Sequence, residues 1–336
     1  MTTLFSTHPR FADHDTGPGH PERPARLEAV ARGARAAGLD GALVPVEPRA
    51  ATRAEVARVH PPEFLDALEH FCAAGGGQLD ADTHAGQASY DAALLGAGAG
   101  LDAIERLDRG EAGAAFCAVR PPGHHASATR AMGFCLLNNI AVAAASLADR
   151  GERVLVVDID AHHGNGTQRS FFDDPRVVYA SFHQYPLFPG TGAIDEVGTG
   201  EGVGATVNFA LPAGATGDVL RAGVDEVLAP LVDDVEPTWL LVSAGFDGHR
   251  RDPLTGLALS SGDYADLTTA LCAFAPAGRR LLFLEGGYDL EALADSAGAC
   301  LAALEGEDHR PEPATSGGPG AHVVADVVKI RNSLMG

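Results

Sequence analysis

The stretch Arg153-Val154-Leu155-Val156-Val157-Asp158-Ile159-Asp160-Ala161-His162-His163-Gly164-Asn165 decides how the chain folds. Val154 to Val157 form an unbroken run of Val and Leu that ends in turn residues, the pattern of a strand buried on both faces of a parallel sheet. Sheets of that kind carry function at the carboxyl ends of their strands. Asp158, Asp160, His162 and Asn165 stand at that end within eight residues. Side chains two apart in an extended segment point the same way, so Asp158, Asp160 and His162 leave the strand on one face. Asp-x-His in that position makes half of a metal site. Taken alone, however, such a motif is more often a strand end capped by polar residues, and the rest of the chain has to decide.

Outward from this strand, apolar runs predict further strands at 2–6, 41–46, 115–119, 177–183, 239–245 and 281–285. Helical patterns fill the intervals: one running to about Ala37 after the Gly/Pro-rich loop 15–24, then 62–73 and 86–108. The charge-free run 131–148 contains Asn138-Asn139 and many alanines, which suits a core helix better than a membrane span. Strand and helix alternate throughout, so the expected fold is a single α/β domain on a parallel sheet. The glycine-rich stretch 190–204 lacks a Gly-Lys-Ser/Thr ending and precedes a strand, and so reads as a surface loop and not a phosphate cradle. Residues 1–304 are expected to form the main domain, and 305–336 a tail: a polar, Pro/Gly-rich linker, then an amphipathic helix carrying Val323, Val324, Val327 and Val328.

The 336 residues carry a formal net charge of -21, which opposes direct binding to nucleic acid or an anionic membrane and attracts cationic substrates. Lys329 is the only lysine, and with abundant Arg, Ala and Gly it points to a GC-rich bacterial genome. Cys72, Cys117, Cys135, Cys272 and Cys300 are odd in number, widely spaced and mostly inside apolar runs, as expected of reduced thiols in a cytoplasm. No basic patch followed by an apolar stretch marks a targeting segment at the start.

Four predicted strands end in reactive side chains: His124 and His125; Asp158, Asp160 and His162; Asp247; and Tyr288. If the strands are parallel, these ends share one edge of the sheet. Asp160, His162 and Asp247 then offer three ligands of mixed oxygen and nitrogen type and leave a coordination position open, as catalytic zinc sites do. Each of these residues alone would more often be structural; core packing does not explain their joint placement. His14 and His20 read as structural.

The ordered set HPERPARL (20–27), RPPGHHA (120–126), GFCLLNN (133–139), DIDAHHGNGTQ (158–168), FPGTG (188–192), SAGFDGHRRDPL (243–254) and EGGYD (285–289) resembles the histone deacetylase superfamily of zinc-dependent amidohydrolases, in its class II and bacterial branch. The resemblance implies an arginase/deacetylase-like three-layer fold with a mostly parallel eight-stranded sheet and a narrow tunnel to one zinc ion. By position it gives Asp160, His162 and Asp247 as zinc ligands, and His124 as the histidine backed by Asp158. His125 becomes the proton-transferring histidine and Tyr288 the oxyanion donor. Phe134 and Phe188 become the tunnel walls, with Gly133, Gly287 and Leu254 beside them. Asn165 stands where class I members carry Asp, and an amide orients the imidazole without raising its pKa. Backbone oxygens around Asp158, Asp160, His162 and Ser181 match a structural potassium site.

The implied activity is hydrolysis of an acyl-lysine peptide, or a related acetylated amine, to free amine and acetate in the cytoplasm, with homo-oligomerisation left open. Acetylpolyamine deacetylation is the nearest alternative. In polyamine-selective relatives a Glu follows Asp-Pro where Leu254 stands here, so acyl-lysine is favoured; should that fail, Asp80 or Asp82 would be the acidic group at the mouth. A dimanganese hydrolase of the same fold would need acids where this chain has Gly164 and His249. A catalytically silent acyl-lysine reader would have no need of Tyr288 with both histidines.

Overall fold

In a computed structural model describing residues 2–335, the predicted apolar runs form strands β1 (Thr3–Ser6), β2 (Leu43–Val46), β5 (Ala114–Cys117), β6 (Val154–Asp158), β7 (Val177–Gln184), β9 (Trp239–Ala244) and β10 (Arg280–Leu284), and the strand that follows the glycine-rich stretch is β8 (Thr206–Leu211). The residues of a small separate hairpin, Gly77–Gln78 and His84–Ala85, are β3 and β4. The eight long strands make one sheet in the order β2-β1-β5-β10-β9-β6-β7-β8, and every neighbouring pair is parallel.

The opening stretch behaves as its pattern predicts, because all five residues of β6 are buried. Leu155 and Val157 face one apolar layer together with Phe116, Val178, Leu240 and Leu282, while Val154 and Val156 face the other with Ala115, Val177, Leu241 and Phe283. Burying side chains of this size stabilises by roughly 1.5–3 kcal/mol each. Helices Ala25–Ala36, Ser261–Cys272, Leu290–Glu305 and Ala321–Met335 cover the first layer; Ser89–Asp108 and Asn139–Ala148 cover the second. The result is a helix–sheet–helix sandwich with eight strands in its sheet, the three layers expected. Trp239 opens β9 fully buried, with the Arg279 guanidinium 4.8 Å from its ring centre.

One predicted element is shorter than expected. The run 131–148 is helical only over Asn139–Ala148, because Asn138 caps the helix by accepting the Ala141 N–H at 3.0 Å. Before the cap, Gly133 and Phe134 take left-handed conformations, φ 57° and 68°, which no helix accommodates. Met132 and Cys135 close this turn with reciprocal backbone hydrogen bonds. At the other end of the chain, Val323, Val324 and Val327 are buried and Val328 packs against them. The stretch 305–320, expected as a linker, lies against the start of helix Ser261–Cys272, where the Thr315 hydroxyl donates to Asp263 and accepts the Gly217 N–H. The five cysteines are free and buried, and among the described residues no helix is long and apolar enough to cross a membrane.

Candidate active site

The four strands that end in reactive side chains are consecutive in the sheet, as β5-β10-β9-β6. Register sets Asp158 and Phe283 level with Ser243 and Cys117 level with Phe283, so the four loops start from one edge at one height. This adjacency turns residues more than a hundred positions apart into neighbours.

Asp160, His162 and Asp247 offer ligand atoms that all lie within 4.8 Å of one another. His162 Nδ1 is 2.8 Å from Asp247 and 3.2 Å from Asp160. Backbone donors aim both carboxylates: Gly286 N–H to Asp160 at 2.7 Å and Ala161 N–H to Asp247 at 2.9 Å. A Cβ at Gly286 would run into both acids, so only glycine lets the loop pass this close. Two carboxylates buried completely beside one another oppose ionisation, and burial together with Asp160 pushes the Asp247 pKa up. A divalent cation relieves that opposition, and two carboxylate oxygens with one imidazole suit zinc. A second cluster, His124, Cys135 and Glu285, has equally short spacing. It does not suit a metal: burial holds the Cys135 thiol protonated, its sulfur donates to Gly133 O, and Glu285 already accepts the Gly123 and His124 N–H groups.

Beside these three residues stand two histidines whose ring centres are 4.0 Å apart. His124 Nδ1 donates to Asp158 at 3.0 Å, and Asp158 also accepts the Tyr179 hydroxyl at 3.1 Å. Burial disfavours the His124 imidazolium, but Asp158, Asp160 and Glu285 together outweigh it and push its pKa up to about 10. His125 differs because its partner is an amide: Nδ1 lies 2.9 Å from Asn165 Oδ1. Burial, then the positive charge of His124, hold its pKa well below the ordinary value. An Nδ1–H donating to the amide leaves Nε2 free as a base. The two neighbouring histidines are thus pushed in opposite directions, His124 toward the imidazolium and His125 toward the neutral ring.

A cavity of about 770 Å³ opens onto His125, His162 and Tyr288 and is walled by Phe134 and Phe188. The Phe188 ring meets His125 at 5.2 Å and the Phe134 ring meets Tyr288 at 5.7 Å, both edge-on. Gly133 lines the wall where a Cβ would meet the His125 ring, and Leu254 lines the rim with 37% of its surface exposed. Thr83 Oγ1 accepts the Phe134 N–H at 3.0 Å and secures the left-handed turn. Gly287 is placed otherwise than expected: it is buried, does not line the cavity, and offers its carbonyl to Arg26. His20 is also placed otherwise, lining the cavity with its ring 4.6 Å from Phe134, whereas His14 is a buried partner of Ser89. Asp82 lines the cavity; Asp80 turns inward to the Asp82 and Thr83 N–H groups.

Sequence reasoning missed three supports. Arg26 donates to Gly287 O, Glu285 O and Glu22, and its guanidinium sits 5.0 Å from the Tyr288 ring centre. Arg120 completes that buried network on Glu22 at 2.5 Å. Asp252 accepts the Tyr288 N–H at 2.7 Å. All these residues lie inside the quoted motifs, which was the available signal, but nothing in the motifs says which residue holds which. Gly164 has no room for a side chain beside Asp158, and His249 turns away to Glu312, so neither position supplies a second metal with a ligand.

The histone deacetylase domain family matches residues 20–304. The chain is similar to a probable deacetylase of Archaeoglobus fulgidus, 39% identical over 93% of this chain and 91% of that one. It is also similar to histone deacetylase 15 of Arabidopsis thaliana, 38% identical over 93% of this chain and 58% of the plant protein. Among solved structures, the crystal structure of the HDA15 HD domain superposes with a TM-score of 0.91 at 36% identity, over 99% of this chain and 94% of that one.

Proposed function

The chain belongs to the histone deacetylase domain family, and from that premise we propose that it is a zinc-dependent deacylase that hydrolyses acetyl-lysine, or a related acetylated amine, to the free amine and acetate. The observation that carries this reading is the meeting of the Asp160, His162 and Asp247 ligand atoms beside His125 and the Tyr288 ring on one cavity. Bound by those three residues, a zinc ion supplies Lewis acidity toward an amide carbonyl and lowers the pKa of water toward about 7. His125 takes the proton of the attacking water at Nε2 and returns it to the leaving amine. His124, held cationic by Asp158, offsets the negative charge that develops beside it. Burial keeps the Tyr288 hydroxyl protonated well above the ordinary phenol range, as a hydrogen-bond donor to the carbonyl oxygen must be. Phe134 and Phe188 fit the methylene stem of a lysine side chain, at roughly 0.8 kcal/mol per buried CH₂.

A structural potassium ion belongs to the same reading, supported by the register that pairs Asp158 with Ser181 and so brings their backbones together. The substrate class is tested by kcat/KM of the purified zinc enzyme on acetyl-lysine peptides and acetylspermidine. With Leu254 at the rim the peptide is the better substrate, and Leu254→Glu narrows or reverses the ratio. The rival acetylpolyamine reading has one observation in its favour, the Asp82 carboxylate on the cavity. Acetylspermidine preferred tenfold by the wild type, about 1.4 kcal/mol, with the preference lost in Asp82→Asn, would establish it.

A further inference from the structure

Glu312 lies beyond the family match, which ends at residue 304, yet it reaches the loop that follows the ligand Asp247. Its carboxylate accepts His249 Nε2–H at 2.6 Å on one oxygen and the Arg250 guanidinium at 2.6 Å on the other. His249 is fully buried and its Nδ1 accepts the Arg251 N–H, which leaves Nε2 as the donor. The path continues without a gap. His249 O accepts the Asp252 N–H at 2.8 Å; Asp252 then accepts the Tyr288 N–H at 2.7 Å and the Leu254 N–H at 2.9 Å. Glu312 itself is fixed on helix Ser261–Cys272, donating its N–H to Ser261 Oγ, while the next carbonyl, Pro313 O, accepts the Ser260 hydroxyl. Gly262 lies beneath this strap, where a Cβ would strike its backbone.

We propose that Glu312 is a positioning residue for the reaction: through His249 and Asp252 it sets the backbone of Tyr288, so the tail is part of the active-site frame. The proposal rests on the role assigned above to Tyr288. Other anchors, Arg251 to Asp295 and Thr255 to the Asp247 carbonyl, hold the same loop, so its loss shifts Tyr288 without unfolding the chain.

The test is a double-mutant cycle on the full-length zinc enzyme with an acetyl-lysine peptide, recording kcat, KM, zinc content and Tm. Glu312→Ala is expected to lower kcat roughly 10- to 100-fold, the range that a small misplacement of a reacting group produces, with KM and zinc content near wild type. In a Tyr288→Phe background the same substitution is expected to cost nothing further, because the hydroxyl it positions is already gone. Glu312→Gln, which keeps an acceptor for His249, should recover part of kcat, and it carries the same cycle if the alanine variant fails to fold. Unchanged kcat in both Glu312 variants overturns the proposal, and so does an equal loss in both backgrounds, which would mark general destabilisation. If Tyr288→Phe alone leaves kcat intact, the role of Tyr288 fails first, and any Glu312 loss in that enzyme runs by another route and overturns this one.

Discussion

Asp247 uses one carboxylate oxygen to accept the Ala161 N–H and turns the other to His162. Asp247→Ala therefore removes one ligand and frees the segment that presents the other two. Expected is a chain with almost no zinc by elemental analysis and no hydrolysis. Tyr288→Phe should behave oppositely, retaining zinc and losing kcat by about 10² to 10³. Near-stoichiometric zinc in Asp247→Ala would show that the ligands lie elsewhere. At this scale the clustering of Asp160, His162 and Asp247 was legible, because all three stand at the ends of strands that the apolar pattern predicts to be parallel. Gly287 and His20 were not, because a peptide's direction or a ring's tilt against Phe134 depends on the neighbouring loop, and spacing within one segment carries no trace of it.

On the Phe134 side the cavity wall is made where two loops meet, 79–83 and 131–138, and Thr83 Oγ1 accepting the Phe134 N–H is a direct bond between them. Phe134 holds a positive φ of 68°, a conformation that costs a non-glycine residue of the order of 1–3 kcal/mol and persists only where its surroundings fix it. Thr83→Val, similar in shape but without the hydroxyl, should release the turn. KM for acetyl-lysine peptides is expected to rise several-fold while zinc content stays constant; an unchanged KM would mean that packing alone holds Phe134. The existence and type of the long elements could be read from periodicity, as for β6. The start of the helix at Asn139 could not, since a run of apolar and small residues suits a tight turn as well as a helix until a left-handed backbone is seen. Nor could the order β5-β10-β9-β6 be read, because parallel neighbours far apart in sequence leave no local mark.

The whole molecule should weaken in mild acid, for reasons set by burial. His14 and His60 have pKa values lowered to about 4, chiefly because burial penalises the imidazolium. The unfolded chain protonates them near 6.5 and the folded chain only near 4. Unfolding therefore takes up protons across that window, and stability is lost as pH falls through it, on the order of 2 kcal/mol each at pH 5. Glu22 extends the loss: burial opposes its ionisation, but Arg120 and its neighbours hold it at about 2, so its contribution goes as pH falls from about 4.5 toward 2. The urea midpoint should be clearly lower at pH 5.0 than at 7.5, and equal midpoints would contradict the assignment of these histidines as buried and neutral. Beneath this sits Trp239, the chain's single tryptophan, at the opposite end of β9 from Asp247. At about 3.3 Å per residue the five steps of β9 alone put roughly 16 Å between Trp239 and the start of the loop that carries Asp247. The consequence is optical: when the indole alone is excited, its emission reports the integrity of the sheet from one fully buried vantage, at the end of β9 away from the cavity. For the proposed zinc enzyme, loss of the ion and loss of the fold should therefore be separable in one cuvette, the first by a chromogenic chelator and the second by the wavelength of the indole.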